Sequence, residues 1–277
     1  MRDFVSCFGD SSVNLSSESH GTATCVYKST LSTRKEILTK ITWSKNNSGV
    51  SLSVSIEDNV ESRPKGQLLT KKKGSRSFVT DNLVISLYWD ISIAKYGAGS
   101  EPVDDYYFVV VADAEFSLLL GDMSRDFVKR FEGTIPTADF CILSRQEQVH
   151  GTTVYSTRSR FRGDGKDHEI SIRCKGDEGD SKDAELVVSI DKKKVVQVRR
   201  LRWNFRGNQT IFVDGSVVDL MWDIHDWWFC DRSGCALFMF KTRSSSESRH
   251  LWLDEELTRS GQDAAGFFLL IEAFKKI

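Results

Sequence analysis

A single internal repeat, at a spacing of about 130 residues, constrains this chain more than any other feature. The stretch from Gly74 to Ile91 aligns without a gap on the stretch from Gly207 to Ile224, so that Gly74, Phe78, Asp81, Leu87, Trp89 and Asp90 fall on Gly207, Ile211, Asp214, Leu220, Trp222 and Asp223, each pair 133 positions apart. Upstream, Val54-Ser55-Ile56-Glu57 falls on Val188-Ser189-Ile190-Asp191 at 134, and Val26-Tyr27 on Val154-Tyr155 at 128, drifts that changes of loop length produce. Two units with the same apolar positions must each bury the same pattern, so the chain is expected to fold as two like halves, residues 1–133 and 134–277, packed separately or as one continuous domain.

Within each unit the pattern is that of a sheet. Thr39 to Trp43, Leu52 to Ile56 and His168 to Ile172 alternate apolar with polar residues, which gives strands with one buried and one wetted face. Asp81-Asn82 and Asp214-Gly215 sit between β runs, where such pairs accept the positive φ of a tight hairpin turn. The runs Tyr106–Ala112 and Phe116–Leu120 are apolar on both faces and flank Asp113-Ala114-Glu115, a hairpin between deeply buried strands. One segment, Ser124 to Phe131, carries a helical pattern, with Ser124 as its expected N-cap, Phe127, Val128 and Phe131 on one side, and Gly133 and Pro136 to stop it. These signals predict an all-β fold of internally duplicated antiparallel β-sandwich or barrel-like halves, with the Trp-bearing hairpins facing one another.

Composition narrows the function classes. With 38 basic and 39 acidic residues the net charge is −1, so no global field draws the chain to nucleic acid or to an anionic membrane, and any such affinity must be local. No apolar run approaches the roughly 20 residues that span a bilayer, so no transmembrane segment is expected. Without a secretory leader in Met1 to Cys7, the six cysteines are expected as free thiols, and the expected location is cytoplasmic or nuclear.

Three groups of residues could carry function. Trp89-Asp90 and Trp222-Asp223 each end an apolar run; a flat ring beside a carboxylate suits a ligand platform, while a core Trp followed by a strand-ending Asp is the plainer account. His225-Asp226-Trp227-Trp228-Phe229-Cys230, with Cys235, concentrates reactive side chains. Three metal ligands at unfamiliar spacing do not make a zinc knuckle, and Asp223 or Asp226 beside His225 could orient a general base but has no nucleophile motif with it. The basic stretch from Lys192 to Arg206 interleaves Arg199, Arg200, Arg202 and Arg206 with Val and Trp203, the composition of a phosphate-tracking surface with stacking groups and equally of a strand edge guarded by cations. No Gly-x-Ser-x-Gly, phosphate-loop, His-Glu-x-x-His or dinucleotide motif occurs, so no catalytic residue, metal or cofactor is assigned.

The chain also resembles a known family. Arg2-Asp3-Phe4-Val5-Ser6-Cys7-Phe8-Gly9, Thr24-Cys25-Val26-Tyr27, Ile41-Thr42-Trp43-Ser44-Lys45, Tyr88-Trp89-Asp90, Leu119-Leu120-Gly121-Asp122, Val198 through Asn208, Val213-Asp214-Gly215, Trp222-Asp223-Ile224-His225 and Gly266-Phe267-Phe268-Leu269 look like a plant-specific family of uncharacterised proteins, domain of unknown function 868. The resemblance runs nearly end to end and implies a plant source. It implies no activity and no site residues. The function expected is a non-catalytic binding or scaffolding module for a protein partner or small ligand, using Trp89, Asp90, Trp222, Asp223, His225, Arg199, Arg202, Trp203 and Arg206. The alternatives are an RNA- or phospholipid-headgroup-binding protein working through the basic strand, and a hydrolase-type enzyme centred on His225.

Overall fold

The computed structural model describes residues 21–46, 49–57, 66–80, 83–97, 99–131, 133–150, 154–162, 165–175, 184–230, 234–243 and 266–274. The Asp81-Asn82 turn and the closing stretch near Trp252 lie outside them. In the first half, β1 (Gly21–Thr30), β2 (Glu36–Asn46), β3 (Gly49–Glu57) and β4 (Gln67–Leu69) form an antiparallel meander. A second set follows: β5 (Lys73–Val79), β6 (Val84–Asp90), the small ribbon β7 (Lys95–Tyr96) and β8 (Pro102–Asp104), then β9 (Tyr107–Ala112) and β10 (Glu115–Leu120). After helix α1 (Ser124–Lys129) the chain runs through the long β11 (Asp139–His150). The second half contains β12 (Val154–Ser159), β13 (His168–Lys175), β14 (Glu185–Ile190) and β15 (Lys193–Arg199) in one meander. It ends with β16 (Arg206–Val213), β17 (Ser216–Asp223), helix α2 (His225–Phe229), β18 (Cys235–Thr242) and β19 (Phe268–Phe274).

The fold is all-β, and among the described residues no sheet closes into a barrel, which corrects the barrel-like alternative. Instead a nine-stranded sheet in the order β16-β17-β18-β19-β11-β1-β2-β3-β4 runs through both halves. It takes the first meander of the first half and the second meander of the second, joined by β11, which pairs antiparallel with β1 and parallel with β19. The four-stranded sheets β10-β9-β6-β5 and β12-β13-β14-β15 supply the other walls of two cores. One core gathers Cys25, Ile41, Trp43 and Leu52 with Ile85, Leu87, Trp89 and Phe108. The other gathers Ile170, Leu186 and Val188 with Leu220, Trp222, Phe240 and Leu269. Trp89 and Trp222 therefore belong to different cores, and the Trp-bearing hairpins do not face one another.

Strand alternation explains the faces. Ala23, Cys25 and Tyr27 of β1 are buried, while Thr24 on the other side meets Thr42 of β2 at 3.0 Å between hydroxyls on the wetted face. Strand β9 is apolar on both faces because α1 covers its outer side: Phe127 packs at a tilt against Tyr107 at 4.9 Å and against Tyr88 at 5.2 Å between ring centroids, and Phe131 meets Phe116 at 5.6 Å. The helix differs from expectation at its start and its end. Ser124 is its first residue and donates its hydroxyl to the Gly121 carbonyl at 2.7 Å, so it caps no helical N–H; Met123 holds the N-cap position, and the helix ends at Lys129. The five-residue α2 is a second departure, because a single turn is too short to show a 3.6 period.

Charge sits between the cores. On β11, Arg145 lies opposite Cys25 of one core and Leu269 of the other. Its Nε donates to Glu147 and its Nη1 to Glu101, and Nη1 also reaches Cys25 Sγ at 3.4 Å. Thr157 on β12 donates its hydroxyl to Glu147 at 2.6 Å. Burial alone would pull the guanidinium down, but the two carboxylates more than offset it and hold Arg145 well above its ordinary value. Burial likewise pushes the Cys25 thiol up to about 12, so it is a protonated core side chain rather than a reactive thiolate.

Replacing Arg145 by Met is expected to cost about 3–5 kcal/mol in chemical denaturation, because Glu101 and Glu147 are left buried and uncompensated. Adding Glu101→Gln and Glu147→Gln to that variant recovers stability if the cost is uncompensated charge, and does not if it is lost packing.

Candidate functional site

In each half the chain leaves one sheet and enters the opposing one at the sheet edges, from β4 to β5 and from β15 to β16. The same device fixes both crossings. Gly74 pairs with Trp89 and Gly207 with Trp222 across neighbouring strands, and each indole lies over the glycine opposite. A Cβ there would meet the ring at 2.9 Å on Gly74 and at 2.3 Å on Gly207. The Trp89 Nε1–H donates to the Lys71 carbonyl at 2.8 Å, and the Trp222 Nε1–H to the Asn204 carbonyl at 3.1 Å. The carboxylates recur in the same way. Asp90 accepts from the Ser92 N–H and pairs with Lys73 at 2.7 Å; Asp223 accepts from the His225 N–H and pairs with Arg206 at 2.8 Å. Trp89 and Trp222 are thus buried ring-on-glycine clamps, and Asp90 and Asp223 end their strands.

The crossings differ in length. Residues 70–72 link β4 to β5, whereas residues 200–205 link β15 to β16. The longer link turns on Arg200, whose φ is 56° and whose carbonyl accepts from the Trp203 and Asn204 N–H groups. It lifts Trp203 into solvent at 85% exposure, the highest of any large apolar side chain among the described residues. Beside it, Gln197, Val198, Arg199 and Arg200 from one edge and Asn204, Arg206, Gly207 and Asn208 from the other line an open groove of about 620 Å³ floored by Trp222. No lining residue is acidic. Next to it stands an aromatic cluster. The Arg206 guanidinium lies 5.6 Å from the Phe205 centroid, and Phe205, His225 and Phe229 contact one another at 5.0–5.8 Å.

The structure therefore brings Arg199, Arg206 and Trp222 into one groove, with Trp203 on its linking turn and Asp223 and His225 at its margin. Trp89 and Asp90 stand apart in the other half, and Arg202 is half-buried outside the lining. The His225 imidazole meets Asp226 at 2.9 Å, while the Asp223 carboxylate is engaged by the His225 backbone and by Arg206. Among the described residues no three His, Cys, Asp or Glu side chains group closely enough to hold a metal.

Sequence reading missed three contributors. Gln197 and Asn208 line the groove, though neither was singled out as a site residue. His168, 3% exposed, places Nδ1 2.8 Å from Asp191 and Nε2 2.7 Å from Asp214. Asp191 lies in the β14–β15 turn and Asp214 in the β16–β17 turn, both at positive φ, so the histidine ties the far ends of the two edge strands together. The hydrogen bond from His168, with that from the Glu169 N–H, holds the Asp191 carboxyl below its ordinary value.

The family model for a plant protein of unknown function, domain of unknown function 868, matches residues 18–275. The chain belongs to this family. The match spans both halves, the groove and β11, so the repeat and the edge crossings lie within the family's domain. No curated protein and no solved structure matches the chain. Within this domain of unknown function 868 no helix among the described residues is long and apolar enough to cross a membrane.

Burial raises the Asp90 and Asp223 carboxyls, but the hydrogen bonds each accepts outweigh it and both end below the ordinary value of 3.8. A depressed carboxyl contributes stability that is present above its unfolded value and lost as pH falls through its folded value. Unfolding free energy is therefore expected to fall as pH drops from about 5 to below 3. The Asp90→Asn, Asp223→Asn double variant should be less stable at pH 7 and show a flatter dependence over that window, as read by urea titrations at each pH. For packing at the crossings, Gly207→Ala should cost about 1–3 kcal/mol, more than Gly74→Ala, with Gly66→Ala, which has open space around it, as the near-neutral reference.

Proposed function

We propose that this protein is a non-catalytic binding module made of two β-sandwich halves that arose by duplication, and that its ligand or partner engages the groove between β15 and β16. Support for duplication comes from indole, carboxylate and glycine contacts that recur at the same offset of 133 residues, Gly74 on Gly207 and Trp89 on Trp222. The observation that carries the binding reading is Trp203. A tryptophan left 85% exposed forgoes its hydrophobic stabilisation unless something covers it, and this one stands on the turn beside a concave surface. The second half alone has the longer crossing, so the two halves have diverged where the proposed site lies. Trp89 and Asp90 retain the structural form of the clamp, and Trp222 and Asp223 are its counterpart beneath the groove.

The expected ligand offers anionic groups to Arg199 and Arg206 and a flat or apolar surface to Trp203; a protein partner or a small ligand can do both. A hydrolase centred on His225 has weaker support, because the nearest carboxylates, Asp223 and Asp226, already serve the strand end and the imidazole of a single helical turn. Thiols at Cys25, Cys141, Cys174 and Cys235 support a cytoplasmic or nuclear location.

A thermal-shift screen of the purified protein against glycans, phosphoinositides, nucleotides, short RNAs and a plant-extract protein fraction tests the proposal. A ligand of the native state at 100 times its dissociation constant adds about 2.7 kcal/mol and raises the midpoint. Trp203→Ala should leave the unliganded midpoint nearly unchanged, since surface substitutions stay within about 0.5 kcal/mol, and should abolish the ligand-induced rise. A rise that survives Trp203→Ala and Arg206→Ala would remove the groove from the proposal.

A further inference from the structure

We infer that the groove between β15 and β16 binds single-stranded nucleic acid, with phosphates on its arginines and a base stacked on Trp203. The inference rests on reading this groove as the binding site, and adds the class of its ligand. Single strands are held without strong sequence preference by a cationic trough that follows the backbone and by aromatic rings on which bases stack. Both parts are here in the right relation. Arg199 and Arg200 come from the end of β15 and its turn, Arg206 from the start of β16, and Trp203 from the residues between, so cations flank the exposed indole along the chain.

Charge balance favours the same ligand. The lining holds three arginines and no carboxylate; at its margin Asp223 pairs with Arg206 at 2.8 Å and Glu185 accepts from Gln197. At the other end of β15, Lys193 and Lys194 are exposed, with Lys194 donating to Gln197 of the lining at 2.7 Å, so a polyanion finds charge beyond the groove itself. Local concentration of this kind matters because the whole chain is nearly neutral, at −1. Asn208 adds an amide able to donate to or accept from a base edge. The trough is open rather than enclosed, which suits a polymer passing through more than a small molecule sealed from water. A bilayer surface would use the same cations, but Trp203 is the one strongly exposed apolar group on this turn and the trough is lined with amides and guanidinium groups.

The test is fluorescence anisotropy with 5′-labelled 12-nucleotide U and A RNAs against the full chain at 50 to 200 mM salt, beside co-sedimentation with phosphatidylcholine vesicles containing one-fifth phosphatidylserine. The inference requires RNA binding that weakens with salt, a loss of about 10-fold or more with Trp203→Ala, partial recovery with Trp203→Phe, and a slope of log affinity against log salt shallower by about 1.4 in the Arg199→Ala, Arg200→Ala double variant. RNA binding indifferent to these variants overturns it by placing the ligand elsewhere. Vesicle binding that needs Trp203, without RNA binding, overturns the nucleic-acid inference and keeps the groove as the site. If RNA and vesicles both fail while another ligand class gives a Trp203-dependent midpoint rise, the inference falls and the binding module stands; if every ligand fails, both fall.

Discussion

The fold depends on Arg145. Strand β11 joins the two halves into one nine-stranded sheet, and its inward face meets two hydrophobic cores at once, with Cys25 opposite on one side and Leu269 on the other. A buried guanidinium keeps its charge only with partners, and here they come from both directions: Glu101 from the loop before β8, Glu147 two residues along the same strand, and behind Glu147 the Thr157 hydroxyl from β12. The chain Glu101–Arg145–Glu147–Thr157 thereby fixes β11 relative to both halves. Ion pairs in a core are seldom the cheapest source of stability, so this one is best understood as setting register and separation.

From that frame the position of the groove follows. With both cores on one nine-stranded sheet, the edge crossings β4–β5 and β15–β16 fall at its opposite ends, since β4 and β16 are its outermost strands. Each crossing needs a strand to begin close against a large ring, and glycine opposite tryptophan meets that need by removing the Cβ and letting the indole reach a backbone carbonyl three residues before the glycine. Once the clamp is set, the link ahead of it can lengthen without disturbing the core. In the second half it does so without insertion, because β15 ends at Arg199 and leaves residues 200–205, with Arg200 and Trp203 among them, to the link.

Much of this was legible in the sequence because it is written in local patterns. Alternation placed Ile41, Leu52, Val54, Ile170 and Ile172 in cores, and the repeat aligned the Gly, Trp and Asp positions that form the two clamps. The basic run with Trp203 marked one side of the candidate site. What local pattern could not carry is long-range pairing. Ser144 to Gln148 reads as a polar stretch, yet Glu147 is 4% exposed because β1 and β19 close on either side of it. That Trp89 and Trp222 enter different cores was equally hidden, since a 133-residue repeat states that two units are alike and not how they are joined. His168 contacts partners 23 and 46 residues away in two different turns, a separation at which no spacing rule operates.

Those two contacts bear directly on how the groove can work. Strands β15 and β16 belong to different sheets and share no backbone ladder, so their separation is set at their ends. At one end the link 200–205 and the Trp222 clamp hold them; at the other His168 spans from Asp191 to Asp214. A trough pinned at both ends keeps its width whether or not a ligand is present, and a preformed site loses little conformational entropy on binding. The exposed indole and the Arg199 and Arg200 side chains are the parts left to adjust, which is the division that the proposed single-stranded ligand would require: a fixed floor and a rim of long, rotatable cations around one flat ring.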